Sequence, residues 1–243
     1  MKAMIFAAGL GTRLRPLTDS VPKALVPVGG VPMLQRILEK LDSAGMEGFV
    51  VNACHLKEQI RSFVSSSPLA DRILLSEEDG TEPLETGGGI KKAAALLGKG
   101  RFLVHNVDIL SNLDIASFLS ADNPDSLATL LLSDFPSDRY LLFDDDMCLA
   151  GWTNVRTGEV KSPYPDFDPS ACRKYSFCGI HIISDEVFTL MRDWPERFSI
   201  IDFYLKAAAD YRIRGVPAPG LELIDIGTPE KLSEAESSLE KYL

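Results

Sequence analysis

No apolar run in the 243-residue chain approaches the ~20 residues a membrane-spanning helix needs. Runs such as Ser126 to Leu132 and Gly179 to Ser184 have the length of buried strands. No signal-type cleavage region precedes the first apolar segment, so a cytoplasmic location is expected and a membrane partner is not. The four cysteines (Cys54, Cys148, Cys172, Cys178) include no C-x-x-C pair and no histidine at metal-ligand spacing. A disulfide frame or structural zinc site therefore has no basis, and reduced, mostly buried thiols are expected. His55, His105 and His181 fit no zinc or triad pattern and read as core or edge residues, and the G-x-S-x-G nucleophile elbow is missing. Excess positive charge is lacking too: the formal net charge is −10, which argues against nucleic acid as the main partner. What remains, at 45% hydrophobic and 25% charged residues, is an ordinary globular composition that excludes disordered and fibrous classes.

Charge is unevenly spread. Residues 1–30 hold Lys2, Arg13, Arg15 and Lys23 against Asp19, a balance of +3, while the rest of the chain carries 21 cations against 34 anions. A small positive island in an acidic protein suits a pocket for a compact polyanion. Over the first half, apolar segments alternate in type. Lys2 to Ala7 reads as a strand, and Leu34, Ile37, Leu38 and Leu41 fall on one face of a helix ending at Gly45. Strand Gly48 to Ala53, helix Lys57 to Ser65, strand Arg72 to Ser76, a loop to Thr86, helix Gly87 to Leu97 and strand Phe102 to Val107 follow. This alternation predicts an α/β fold: a mostly parallel central sheet covered on both faces, Rossmann-like in three α/β/α layers, binding ligands beyond the carboxyl ends of its strands.

The second half is less regular. Strand Leu127 to Ser133 precedes a hairpin of Tyr140 to Phe143 and Cys148 to Trp152 around Asp144-Asp145-Asp146. Asn154 to Lys174, rich in Pro, Gly and charge, reads as a long excursion at the mouth of the sheet and a candidate lid. Then come strand Phe177 to Ser184, helices Asp185 to Trp194 and Ile200 to Asp210, strand Leu221 to Ile226, and a last helix capped by Thr228 with Pro229 at its first position. Without repeat or linker, residues 1–243 read as one domain.

After the first strand, Ala7-Ala8-Gly9-Leu10-Gly11-Thr12-Arg13-Leu14-Arg15 lets backbone approach a ligand and offers N–H groups to phosphate oxygens, flanked by two cations. It is neither a G-x-x-x-x-G-K-[ST] loop nor a dinucleotide fingerprint, because Leu14 stands at the third glycine position and the second strand ends in Asn52-Ala53-Cys54 without an acid. A plain strand-to-helix turn is the alternative. Lys23, a charge set into the apolar, proline-pinned Val21 to Val28 segment, favours a ligand site. Asp108 and Asp225, near the ends of two strands, serve either as caps and turn residues or as two hard oxygen ligands for Mg²⁺, with phosphate oxygens and water completing its shell.

The run from Ala7 to Val28 resembles the signature of the sugar-1-phosphate nucleotidyltransferases, A-A-G-x-G-T-R-L-x-P-L-T followed by P-K-x-L-V-P-V. The resemblance extends over about residues 1–145 and 176–243, and implies a nucleotide-binding half (1–145) and a sugar-phosphate-binding half (146–243). It implies that Ala8, Gly9, Gly11 and Thr12 wrap a nucleoside triphosphate, that Arg13 stabilises the leaving pyrophosphate, and that Lys23 contacts the phosphates of both reactants. It also implies that Asp108, in Asn106-Val107-Asp108, and Asp225, in Asp225-Ile226-Gly227-Thr228, hold Mg²⁺. The loop Pro83-Leu84-Glu85-Thr86-Gly87-Gly88-Gly89 corresponds to the family's base and ribose cradle, which assigns Glu85, Gly87 and Gly88 to the nucleotide; a mobile glycine turn is the alternative. Its form, with the closing Asp225 to Glu236 segment, resembles the branch that uridylylates N-acetylmuramate-1-phosphate in cell-wall sugar salvage. Gly179, in Phe177-Cys178-Gly179-Ile180, borders the sugar by resemblance or else marks a strand bulge. The E-K-P motif of many hexose-1-phosphate members is absent, and Trp152 to Tyr175 matches nothing in the family.

The expected reaction is NTP plus sugar-1-phosphate to NDP-sugar plus pyrophosphate, with UTP favoured. Alternatives are a mannose- or heptose-1-phosphate guanylyltransferase and a non-catalytic nucleotide-sugar-binding subunit. A dinucleotide-dependent oxidoreductase is a more distant option.

Overall fold

The computed structural model describes residues 1–80 and 82–242; Thr81, in the loop expected to run to Thr86, and Leu243 lie outside the described residues. The first half contributes β1 (Lys2–Phe6), a small hairpin of β2 (Pro27–Val28) and β3 (Val31–Pro32), and α1 (Met33–Ser43). It continues through β4 (Gly48–Ala53), α2 (Lys57–Ser66), β5 (Ile73–Glu77), α3 (Glu85–Leu97) and β6 (Arg101–Asn106). Strands β6-β1-β4-β5 pair in that order, all parallel. Their side chains alternate between two cores: Ala3, Ile5, Phe49, Val51 and Leu103 pack with α1 and α2, whereas Met4, Val50, Phe102 and Val104 pack with α3. The nearly continuous apolar strands are thus explained by burial on both faces, and the molecule has three layers.

The second half supplies β7 (Ile109–Ser111), α4 (Ile115–Ser120), β8 (Ala128–Ser133), β9 (Arg139–Phe143), β10 (Leu149–Asn154) and β11 (Glu159–Lys161). Then come β12 (Arg173–Ser184), α5 (Glu186–Leu190), α6 (Ile200–Ala207), β13 (Ile213–Pro217), β14 (Leu223–Asp225) and α7 (Pro229–Ser237). The parallel sheet continues through the long antiparallel β12, which pairs with β6 over Ile180–Ser184, with β8 between Ser176 and Ile183, and with β9 over Arg173–Tyr175. β8 takes β13 as a parallel neighbour. Thr228 caps α7, its Oγ1 accepting from the Lys231 N–H, with Pro229 in the first turn.

Three differences from the sequence reading have physical causes. Asn154 to Lys174 is not a free excursion: the Asn154 Oδ1 accepts from the N–H groups of Arg156 and Thr157, turning the chain back so that β11 pairs with β10. Strand β13 was missed because Gly215 and Pro217 weaken its pattern; the glycine is there because a Cβ would lie 2.3 Å from Leu132. The last expected strand is shorter and outside the main sheet, pairing as β14 with β7.

Candidate active site

β1 ends at Phe6, and the loop beyond it is fixed by a residue of the neighbouring strand. The buried Asn52 of β4 accepts with its Oδ1 from the Ala7 and Ala8 N–H groups, at 2.7 and 3.2 Å. Its Nδ2 donates to Glu78 Oε1 at 2.8 Å, and Glu78 Oε2 accepts the Leu84 N–H at 2.8 Å. Glu78 is 1% exposed, so this carboxylate ties the glycine loop to the start of α3 from within the protein. Asn52 and Glu78 both line the resulting cavity and both escaped sequence reasoning. The only signal was a polar residue inside the buried strand Gly48–Ala53; Glu78 was hidden in an acidic run.

The cavity, of about 420 Å³, is lined by Ala8, Gly9, Gly11, Thr12, Arg13, Lys23, Glu85 and Asp108, which the fold therefore brings together. Gly11 has φ +63°, and a Cβ there would stand 2.8 Å from Thr18 Cγ2. Gly87 and Gly88 are not on this wall. They lie within α3, and a Cβ on them would come 2.3 Å from the Phe198 ring and 2.0 Å from the Glu196 carbonyl. These glycines let the 196–198 segment lie against the helix; Gly87 and Gly88 N–H groups donate to the Phe198 carbonyl.

A second cavity of about 320 Å³ adjoins the first through Asn106 and Asp108 and adds Asp225, Gly179, Cys178 and Lys231. Asp108 and Asp225 meet because β14 pairs with β7, with Asp225 opposite Ile109 and the Ile226 N–H donating to the Asp108 carbonyl. Gly179 sits at a register shift in β12 with φ +70°, where a Cβ would strike the Asn106 amide at 2.5 Å. It is both a strand irregularity and part of the cavity wall.

Lys23, 8% exposed, ion-pairs with Asp108 and stands 3.9 Å from Asp225 Oδ1. Arg13 Nη2 is 3.9 Å from Asp225 Oδ2, and Gly227 makes room for it: a Cβ there would lie 2.6 Å from that nitrogen. Burial, and secondarily the charge of Asp108, push the Asp225 carboxyl above the usual range, against Lys23, Lys231 and Arg13. Asp225 Oδ1 is buried without a hydrogen-bond partner. An orphaned carboxylate oxygen beside a second carboxylate fits a divalent cation. Among the described residues no cluster of three or more potential ligands occurs, so phosphate oxygens and water would complete such a site.

His105 and His181 are buried: His181 Nδ1 bonds the Tyr204 hydroxyl at 2.8 Å, and His105 Nδ1 faces the Asn106 carbonyl at 2.7 Å. All four cysteines are free; Cys54 and Cys178 are buried, while Cys148 and Cys172 are half-buried. Among the described residues no helix is long and apolar enough to cross a membrane.

A glycine loop beyond β1, a buried lysine and two facing carboxylates on a doubly covered sheet agree with the family comparison, in which the nucleotidyl transferase model matches residues 2–135. The chain belongs to that family. It is 33% identical over 245 residues to the N-acetylmuramate alpha-1-phosphate uridylyltransferase of Caulobacter vibrioides, covering 98% of this chain and 96% of that protein. The enzyme of the same name from Neisseria meningitidis serogroup B is 32% identical over 243 residues, covering 98% and 97%. A solved UDP-glucose pyrophosphorylase in complex with UDP-glucose shares the fold, with a TM-score of 0.79 at 18% identity and coverage of 99% and 98%.

Proposed function

We propose that the protein is a sugar-1-phosphate nucleotidyltransferase that transfers uridylyl from UTP to N-acetylmuramate 1-phosphate, as a single domain. The observation that carries the reading is the convergence of Lys23, Asp108 and Asp225 where two cavities meet, one walled by the glycine loop and the other by Gly179. Near-full-length similarity to the two uridylyltransferases supports the choice of base and sugar.

A sugar-1-phosphate is largely dianionic at pH 7, its second pKa being about 6, so it needs no general base. One of its oxygens bonds to the α-phosphorus of UTP while the bond to the bridging β-oxygen breaks, and pyrophosphate leaves with that electron pair. Lys23 neutralises charge where both phosphates crowd, Arg13 faces the leaving pyrophosphate, and loop N–H groups orient the triphosphate. Mg²⁺, held by Asp108 and Asp225, would add charge neutralisation at the same phosphates. Glu85 and the Asn52–Glu78 pair border the nucleotide.

The test is pyrophosphate release with Mg²⁺ over a grid of nucleoside triphosphates against N-acetylmuramate-, N-acetylglucosamine-, glucose- and mannose-1-phosphate. A UTP signal concentrated in the muramate row is expected. A GTP signal in the mannose row would replace this reading with a guanylyltransferase, and silence with every pair would replace it with a binding subunit.

A further inference from the structure

Beside the two cavities lies a third, of about 590 Å³, over the antiparallel face of β9, β10 and β11. It joins the cavity of Asp108 and Asp225 through shared walls at Ser137, Ser176 and Phe177, so a substituent on a sugar bound there has a direct way in. Two donors stand together on its wall. Arg139 and Asn154 are paired directly across β9 and β10, which puts their side chains on one face of the sheet.

Asn154 is 6% exposed, and its Oδ1 is committed to the Arg156 and Thr157 N–H groups. That commitment fixes which end of the amide is which and leaves Nδ2 with no acceptor among the described residues. The Arg139 guanidinium likewise has neither a carboxylate nor a carbonyl partner among the described residues. The cavity's other cation is already engaged: Lys161 stands between Glu159 and Asp202 at 3.7 and 3.6 Å and lies over the Trp152 ring. An exposed guanidinium without a protein partner, beside an amide donor whose orientation the turn fixes, is an arrangement for an acceptor-rich anionic group entering from solvent, with charge-assisted hydrogen bonds as the source of selectivity.

We infer that Arg139 and Asn154 form the subsite that reads a carboxylate-bearing substituent of the sugar, and so distinguish an acidic amino-sugar phosphate from its neutral counterpart. The inference rests on the muramate reading above and deepens it, since the lactyl ether is the feature that separates N-acetylmuramate from N-acetylglucosamine. The two residues act in binding and touch no reacting phosphate.

The test compares kcat/KM for N-acetylmuramate-1-phosphate and N-acetylglucosamine-1-phosphate with UTP in wild type, Arg139→Gln, Arg139→Lys and Asn154→Asp. The last keeps the oxygen that holds the turn and replaces the donor with a charge. Arg139→Gln is expected to lower the muramate-to-glucosamine ratio about 10- to 100-fold, the range for one hydrogen bond to a charged group, through KM more than kcat. Arg139→Lys recovers part of the ratio, and Asn154→Asp lowers it. If wild type turns over the muramate substrate and Arg139→Gln keeps its ratio, this inference alone is overturned. If wild type turns over no carboxylated sugar phosphate, the muramate reading falls and this inference with it.

Discussion

Lys23 shows how much a single charge is asked to do. It is buried against Asp108 and close to Asp225, so removing it takes away the cation that these two half-buried carboxylates share. Lys23→Met is therefore expected to lose both activity and stability. Arg13 separates the two effects. Arg13 is largely exposed, so Arg13→Ala is expected to lower kcat by at least ~10²-fold with its thermal midpoint unmoved, the size of losing one charge stabiliser. Asp108→Asn is expected to do the same to kcat. Steady-state rates near wild type in either variant would contradict the roles assigned to them.

At the scale of elements, α3 and β14 carry most of the lesson. The triple glycine of α3 reads in sequence as bare backbone for a nucleobase, yet in the fold Gly88 makes room for the Glu196 carbonyl. Gly88→Ala is expected to cost about 1–3 kcal/mol of stability by overpacking, read as a lower urea midpoint, with the KM for UTP changed little in the molecules that remain folded. A large KM effect at unchanged stability would return the glycine to the base pocket. The parallel half of the sheet was legible because each strand is an apolar run bounded by a periodic helix, as in Leu34, Ile37, Leu38 and Leu41 of α1. The hairpin of β9 and β10 was legible from its turn residues. The order of β12, β9 and β11 was not, because antiparallel neighbours are chosen by side-chain packing between distant segments. Of the site, Arg13, Lys23 and the aspartates stand out as charges in apolar or glycine-rich surroundings. Asn52, Glu78, Arg139 and Asn154 do not, since what singles them out is the partner each has or lacks in three dimensions.

For the whole molecule, the acidic chain folds so that its basic N-terminal island meets two of its acids at the carboxyl edge of the sheet. Two histidines make this fold sensitive to acid from inside. Burial lowers His105 from 6.5 to about 4 and His181 from 6.5 to about 3. Below their ordinary pKa the unfolded chain takes up protons that the folded one refuses, so stability is full above about pH 6.5 and is lost as pH falls toward about 4 and then about 3. Urea midpoints are expected to drop between pH 7 and pH 5, and less steeply in His105→Leu. Parallel slopes for the two proteins would contradict that origin.

The central claim is uridylyl transfer to a sugar phosphate, and the fate of the α-phosphorus tests it most directly. Incubated with α-labelled UTP, N-acetylmuramate-1-phosphate and Mg²⁺, the protein should place the label in a UDP-sugar and release one unlabelled pyrophosphate for each. Label remaining in UTP, or appearing only in UMP or UDP, would contradict the account.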